Sequence, residues 1–310
     1  MKYFDLHCDT ITLLAGEEKK KLAQSGAAVS LEKGAYLEKW VQVFAVWIPD
    51  TKRGQSAVDY YKRLRDVFFA ELAENSDKIS LFAPSSGKGI DGRATAVLSI
   101  EGGAALGGKL ENLETAAADG VKLITLTWNG ENELGYGSVD GGGGLKPFGR
   151  EAVRKMNEYG VIVDVSHLSD EGFRDVERLS AAPFVASHSN ARSVCGHPRN
   201  LTDGQIKAII ERGGLIGLNF YRDFVRGENP AEAGLEDLER HIYHILNLGG
   251  QDALCMGSDF DGCVTVAGLK DLRDTAGFYD YMLNRGYDKA LLEKIFFLNA
   301  YSFFAKFYAL

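Results

Sequence analysis

Eight short apolar runs alternate with stretches of helical spacing along this chain, and that alternation predicts an α/β protein, a closed (β/α)8 barrel of the TIM type. The runs are apolar on both faces, as in Val161-Ile162-Val163 and Leu215-Ile216-Gly217-Leu218, the pattern of strands buried in a parallel sheet. The length of 310 residues suits such a barrel folded as one domain over residues 1–310. An open doubly wound sheet is the competing architecture, but no Gly-x-Gly-x-x-Gly follows the first run to support a dinucleotide site.

The strands are read at residues 3–9, 41–48, 96–100, 123–128, 161–167, 184–188, 215–220 and 253–258. Between them, Val58, Tyr61, Leu64, Phe68 and Leu72 recur at helical spacing and predict a helix over 57–75. Pro147 suits the first turn of a helix over 148–159, which Gly160 closes. Thr202-Asp203-Gly204-Gln205 can cap a helix running to Arg212. Residues 236–248 and 289–308 complete the series. The glycine-rich stretch from Gly135 to Gly144 lacks the Gly-Lys-Ser/Thr ending of a phosphate-binding loop and reads as a mobile loop after the fourth strand.

Composition narrows the function. The net charge of −8 argues against nucleic acid as the main partner. Cys8, Cys195, Cys255 and Cys263 are scattered without a Cys-x-x-Cys pair, which does not look like a disulfide framework and suits a reducing compartment. No apolar run is long enough to span a bilayer, and the first strand starts too early to leave room for a signal peptide. A cytoplasmic protein without a membrane anchor is expected.

Barrel enzymes carry their chemistry at the C-terminal ends of the strands, and the polar residues fall there repeatedly. The first strand ends in His7-Cys8-Asp9, the third in Glu101-Gly102-Gly103, the fifth in Asp164-Val165-Ser166-His167, the sixth in His188-Ser189-Asn190 and the eighth in Asp259-Phe260-Asp261-Gly262. Side chains alternate along a strand, so His7 and Asp9 are expected to point the same way, an imidazole beside a carboxylate, as a divalent metal requires. Singly, each has a structural alternative: a hydrogen-bonded strand-end histidine, a turn-capping Glu101, an Asx turn at Asp259 and Asp261. Together on one rim they point to a metal centre. His241 and His244, three apart on a helix, read as structural, and His197 reads as part of a loop.

These motifs carry a resemblance. Asp5-Leu6-His7-Cys8-Asp9, Ile100-Glu101-Gly102-Gly103, Leu123-Ile124-Thr125-Leu126-Thr127, Pro147-Phe148-Gly149, Asp164-Val165-Ser166-His167, Ser187-His188-Ser189, Pro198-Arg199-Asn200-Leu201, Asn219-Phe220-Tyr221 and Gly257-Ser258-Asp259-Phe260-Asp261-Gly262 stand in order along the chain. In these it resembles the membrane (renal) dipeptidases, binuclear zinc peptidases with an amidohydrolase-like barrel. The resemblance implies two Zn²⁺ ions per chain: one on His7 and Asp9, the second on His167 and His188, with Glu101 bridging. It implies Asp259 as the acid/base beside a metal-activated water and Arg199 as the grip on the free C-terminal carboxylate of a dipeptide, including dipeptides that end in a D-residue. Homodimers are common in the family. One position departs: Trp128 stands where renal members carry a histidine thought to contact the substrate, so Trp128, the adjacent Asn129 and Tyr221 become the candidate substrate contacts. Another metal-dependent amidohydrolase, acting on N-acyl amino acids, lactones or cyclic amides, and a non-catalytic metal- or peptide-binding paralogue are the competing readings.

Overall fold

The structure, a computed structural model, describes residues 1–16, 20–84, 87, 89–90, 93–140 and 142–309. Its strands are β1 (Lys2–Cys8), β2 (Lys39–Trp47), β3 (Ser80–Leu81), β4 (Ala94–Glu101), β5 (Val121–Thr125), β6 (Ile162–Asp164), β7 (Ile216–Leu218) and β8 (Leu254–Met256). They form one parallel sheet in the order β6-β5-β4-β2-β1-β8-β7, with β3 paired to the start of β4. The sixth stave expected at 184–188 is reduced to two bridges, Asp164 with Val185 and Ala186 with Ile216. Those bridges join β6 to β7 and close the ring. The sheet is therefore the α/β barrel that the alternation predicts.

The apolar doublets explain why these segments are strands. Phe4, Val41, Val43, Val97, Leu123 and Val185 pack into one interior cluster, while Phe44, Leu98, Ile100, Ile124 and Ile216 belong to the larger cluster that includes the helices. Alternation along each strand sends successive residues to these two layers. The interior is closed at the amino-terminal end by the last helical segment: Phe304 lies 5.0 Å from Phe4 and 5.7 Å from Phe82, ring centre to ring centre.

The helices are α1 (Thr10–Leu14), α2 (Gln55–Glu74), α3 (Leu110–Ala118), α4 (Pro147–Glu158), α5 (Asp170–Leu179), α6 (Asp203–Glu211), α7 (Arg222–Val225), α8 (Leu235–Asn247), α9 (Asp274–Asn284), α10 (Lys289–Glu293) and α11 (Asn299–Phe307). Pro147 opens α4 as expected. Thr202 and Gln205 form a reciprocal capping box on α6. α1, α3, α5, α7 and α9 extend the set read from the sequence, and α5 starts where Ser169 accepts from the Gly172 amide. The helix expected over 289–308 is interrupted by a π turn at Lys294–Leu298. There the Asn299 amide donates to the carbonyls of Gln251 and Leu254. Among the described residues, no helix is long and apolar enough to cross a membrane.

Phe304 is fully buried, and it sits at the end of the barrel away from the strand C-termini. Phe304→Ala is therefore expected to lower the unfolding free energy by roughly 3–5 kcal/mol in urea titration, while the folded fraction keeps its activity.

Candidate active site

The carboxyl ends of the strands gather His7, Asp9, Glu101, His167, His188 and Asp259, all buried. His7 and Asp9 do come together, with His7 Nε2 3.4 Å from Asp9 Oδ2, but not by simple alternation. The register of β1 against β2 shifts between Asp5 and Cys8, a bulge that re-aims the strand end. Asp9 lies beyond the strand, at the N-cap of α1. His167 and Asp259 sit at φ +67° and +61°, a region that non-glycine residues rarely occupy and that concentrates at functional sites. Gly262 leaves the space these groups need: a Cβ there would lie 2.0 Å from Asp9 Oδ2 and 2.7 Å from Asp259 Oδ1.

Glu101 is the centre of the arrangement. Its Oε2 lies 3.6 Å from His7 Nε2. Its Oε1 lies 2.8 Å from His167 Nε2 and 3.5 Å from His188 Nε2. The two oxygens thus face different imidazoles, while the His7 and His188 rings themselves stack with centres 3.8 Å apart. Ligand atoms of His7, Glu101 and His188 lie within 4.8 Å of one another, as do those of His7, Asp9 and Asp259.

The protonation pattern tests whether a cation fits. His167 Nδ1 lies 3.0 Å from Asn129 Oδ1, to which it donates. The Ser187 hydroxyl gives its only proton to Asp164 Oδ2 at 2.5 Å, so it accepts from His188 Nδ1 at 2.7 Å. Both rings then carry their proton on Nδ1 and present bare Nε2 lone pairs. Those nitrogens stand 3.0 Å apart, both directed toward Glu101 Oε1. Burial, and then the nearby charges of Arg199 and His7, hold both imidazoles well below the usual histidine range, hence neutral. Three acceptors converging on one point share at most the single proton that Glu101 can hold, and a cation is what such a set accommodates. On the other side, burial alone would depress His7, but Glu101, Asp9 and Asp259 outweigh it and raise it to about 10. Its Nε2 and Asp9 Oδ1 are buried without hydrogen-bond partners. A cation bound there would supply the charge that these carboxylates demand.

The site opens into a cavity of about 620 Å³ lined by Trp47, Trp128, Asn129, Tyr221, Phe224 and Cys263 together with the carboxylates. Trp128 packs edge-on against Trp47, ring centres 5.1 Å apart, and so forms an apolar wall at the position where the resemblance implies a histidine in renal members. Asn129 is committed to His167 through its carbonyl oxygen. Tyr221 lines the cavity and donates its hydroxyl to Asp223. Arg199 is buried, with nitrogens 3.4 Å from Ser189 Oγ and 3.2 Å from the His188 carbonyl. Its Nε–H has no partner, and its guanidinium stacks 5.1 Å over Phe224. Burial lowers Arg199 to about 10 against the pull of Asp259 and Glu101.

Three contributors, Asn219, Trp47 and Phe224, are not among the site residues expected from the sequence. Asn219 donates to Asp259 Oδ2 at 3.0 Å; it stands directly after β7, and the strand-end rule that found the histidines extends to it. Trp47, at the end of β2, carries no charge to mark it. The glycine-rich stretch folds against the site: Ser138 N–H donates to the His167 carbonyl, and Ser169 Oγ to the Gly143 carbonyl. His241 is structural, accepting from the Ala191 amide and donating to the Val225 carbonyl. His244 pairs with Asp203, and His197 stacks on Phe224.

Comparisons with known proteins agree with this geometry. Dipeptidase AC, a metallopeptidase of family M19, superposes with a TM-score of 0.92 at 28% identity, covering 100% of this chain and 99% of that one. A metallopeptidase from Rhodobacter sphaeroides, solved with a phosphinate mimic of L-Ala-D-Ala, gives 0.90 at 28% identity over 98% of both chains. An uncharacterised dipeptidase of Schizosaccharomyces pombe is 32% identical over 233 residues, 72% of this chain and 54% of that protein. The membrane dipeptidase model, peptidase family M19, matches residues 1–306. The chain therefore belongs to the membrane dipeptidase family and is a metallo-dipeptidase.

Proposed function

We propose that the protein hydrolyses dipeptides with two Zn²⁺ ions held by His7 and Asp9 on one side, His167 and His188 on the other, and Glu101 between them. The observation that carries this reading is the division of Glu101, one oxygen toward His7 and the other toward two bare imidazole nitrogens. Bound there, the pair of cations would polarise the scissile carbonyl and lower the pKa of a water.

The rest of the chemistry belongs to the chain. Asp259 takes a proton from the attacking water and returns it to the leaving amine. Burial first, with Asp9 adding to it and His7 and Asn219 opposing, pushes its carboxyl up to about 6, near the range where a group both accepts and releases protons at neutral pH. The Asn219 amide orients Asp259 by binding Oδ2, leaving Oδ1 for the proton. Arg199 forms no ion pair among the described residues. A buried guanidinium left unpaired favours an anion, which the C-terminal carboxylate of a dipeptide supplies. The phosphinate mimic of L-Ala-D-Ala bound by the Rhodobacter sphaeroides relative supports acceptance of a C-terminal D-residue. Trp47, Trp128, Tyr221 and Phe224 supply apolar surface for side chains. The four cysteines are free, and a cytoplasmic location suits them.

Treatment with chelator is expected to abolish hydrolysis of a dipeptide panel, and zinc to restore it with two ions per chain by elemental analysis; turnover that survives chelation would overturn the reading. Arg199→Ala is expected to cost roughly 2–5 kcal/mol in kcat/KM on a dipeptide and to erase the preference for that dipeptide over its C-terminal amide. Asp259→Asn is expected to lower kcat by about 10²–10⁴-fold while the protein keeps its metal, as measured by single-turnover kinetics beside metal analysis.

A further inference from the structure

Two buried aspartates outside the ligand set make the same hydrogen bonds on opposite sides of the barrel. Asp5 on β1 accepts through Oδ1 from the His7 amide, two residues on, at 3.3 Å and from the Ser258 amide at 2.8 Å. Its Oδ2 accepts from Ser258 Oγ at 2.5 Å. Asp164 on β6 accepts through Oδ1 from the Ser166 amide, again two residues on, at 3.0 Å and from the Ser187 amide at 2.9 Å. Its Oδ2 accepts from Ser187 Oγ at 2.5 Å, and also from Thr125 Oγ1 at 2.6 Å. Each aspartate thus stitches its own strand end to the next stave of the barrel through both the amide and the hydroxyl of one serine. All four residues are buried.

The placement of these clamps relates them to the site. Ser258 directly precedes Asp259, and Ser187 directly precedes His188. Asp5 stands two residues before His7, and Asp164 three before His167. One clamp therefore fixes the backbone that carries His7 and Asp259, the other the backbone that carries His167 and His188. The second clamp also reaches an imidazole. With Ser187 Oγ–H given to Asp164, the hydroxyl can only accept from His188 Nδ1, which keeps the ring proton away from Nε2.

We propose that Asp5–Ser258 and Asp164–Ser187 are positioning clamps, and that Asp164–Ser187 in addition sets the tautomer of His188 so that Nε2 stays free for a cation. The inference rests on the two-cation reading for its purpose, but the tautomer can be measured without metal. Ser187→Ala removes the hydroxyl and leaves Asp164 three donors. Asp164→Asn places an amide N–H opposite Ser187, which turns the hydroxyl toward His188 Nδ1 as a donor and moves the ring proton to Nε2.

The test uses full-length protein with ¹⁵N-labelled histidine, the His188 signal being identified with a His188→Gln variant. In the metal-free wild type, His188 is expected to be protonated at Nδ1, and in Asp164→Asn at Nε2. Chelator competition with zinc is expected to show one of two cations bound about 10–100-fold more weakly in Ser187→Ala, with the other unchanged, and thermal unfolding of the metal-free Ser187→Ala protein serves as the control for folding. If Asp164→Asn fails to fold, the Ser187→Ala metal titration and His188 signal decide. A His188 tautomer and zinc affinity unaltered in Ser187→Ala would overturn the proposal. A wild type that takes up a single cation would overturn the two-cation reading instead, and the tautomer measurement would still decide the clamp.

Discussion

The carboxylate of Glu101 sets the terms for everything around it. It is buried at the end of β4 between three imidazoles, with two further carboxylates nearby. Burial first and then Asp9 push its own protonation well above the usual carboxylate range, with His7 pulling the other way. Removing so many charged and lone-pair-bearing groups from water is costly unless each finds a partner. Within the chain the partners do not suffice, since His7 Nε2 and Asp9 Oδ1 remain unpaired. The imbalance is one of charge: acceptors outnumber the protons available to them. That is the electrostatic condition under which a site selects cations over water.

A scaffold must be stiff to hold such a set together. The parallel ring brings every strand end to one rim, and the amino-terminal half is a closed apolar plug. Stability is thus concentrated at one end, which leaves the other free to carry strained residues. His167 and Asp259 occupy the left-handed region without being glycine, and each is held by hydrogen bonds from other elements. Asn129 fixes the His167 ring, while Asn219 fixes Asp259.

The aromatic wall of the cavity is built on a different principle. Trp47, Trp128, Tyr221 and Phe224 offer large apolar surfaces with few donors, which bind by area and shape. Trp128 in place of an imidazole moves this wall toward the apolar extreme. Arg199 stands apart as a buried cation that stacks on one of the aromatic rings. In the proposed function, polar grip and apolar contact therefore reside on different residues, so selection of a free carboxylate and selection of side chains would vary independently.

Much of this was legible in the linear chain. Apolar runs alternating with helices read as buried strands, so the set of staves followed from the pattern, and in a barrel the polar residues directly after such runs fall on one rim. His7, Glu101, His167, His188 and Asp259 were found in that way. Three things were not legible. The sixth stave shrinks to two bridging residues because its neighbours, not its own length, close the ring. His7 and Asp9 meet through a bulge and a helix cap, where alternation had predicted a straight strand. Ser187 and Asp164, 23 residues apart, have adjacent signals in neither helix nor strand periodicity. The chain by itself determined which residues would be polar at strand ends, because burial constrains composition locally. Only the closed barrel decided which nitrogen of His188 carries the proton, because that depends on a hydroxyl whose orientation is set by a carboxylate on the neighbouring stave.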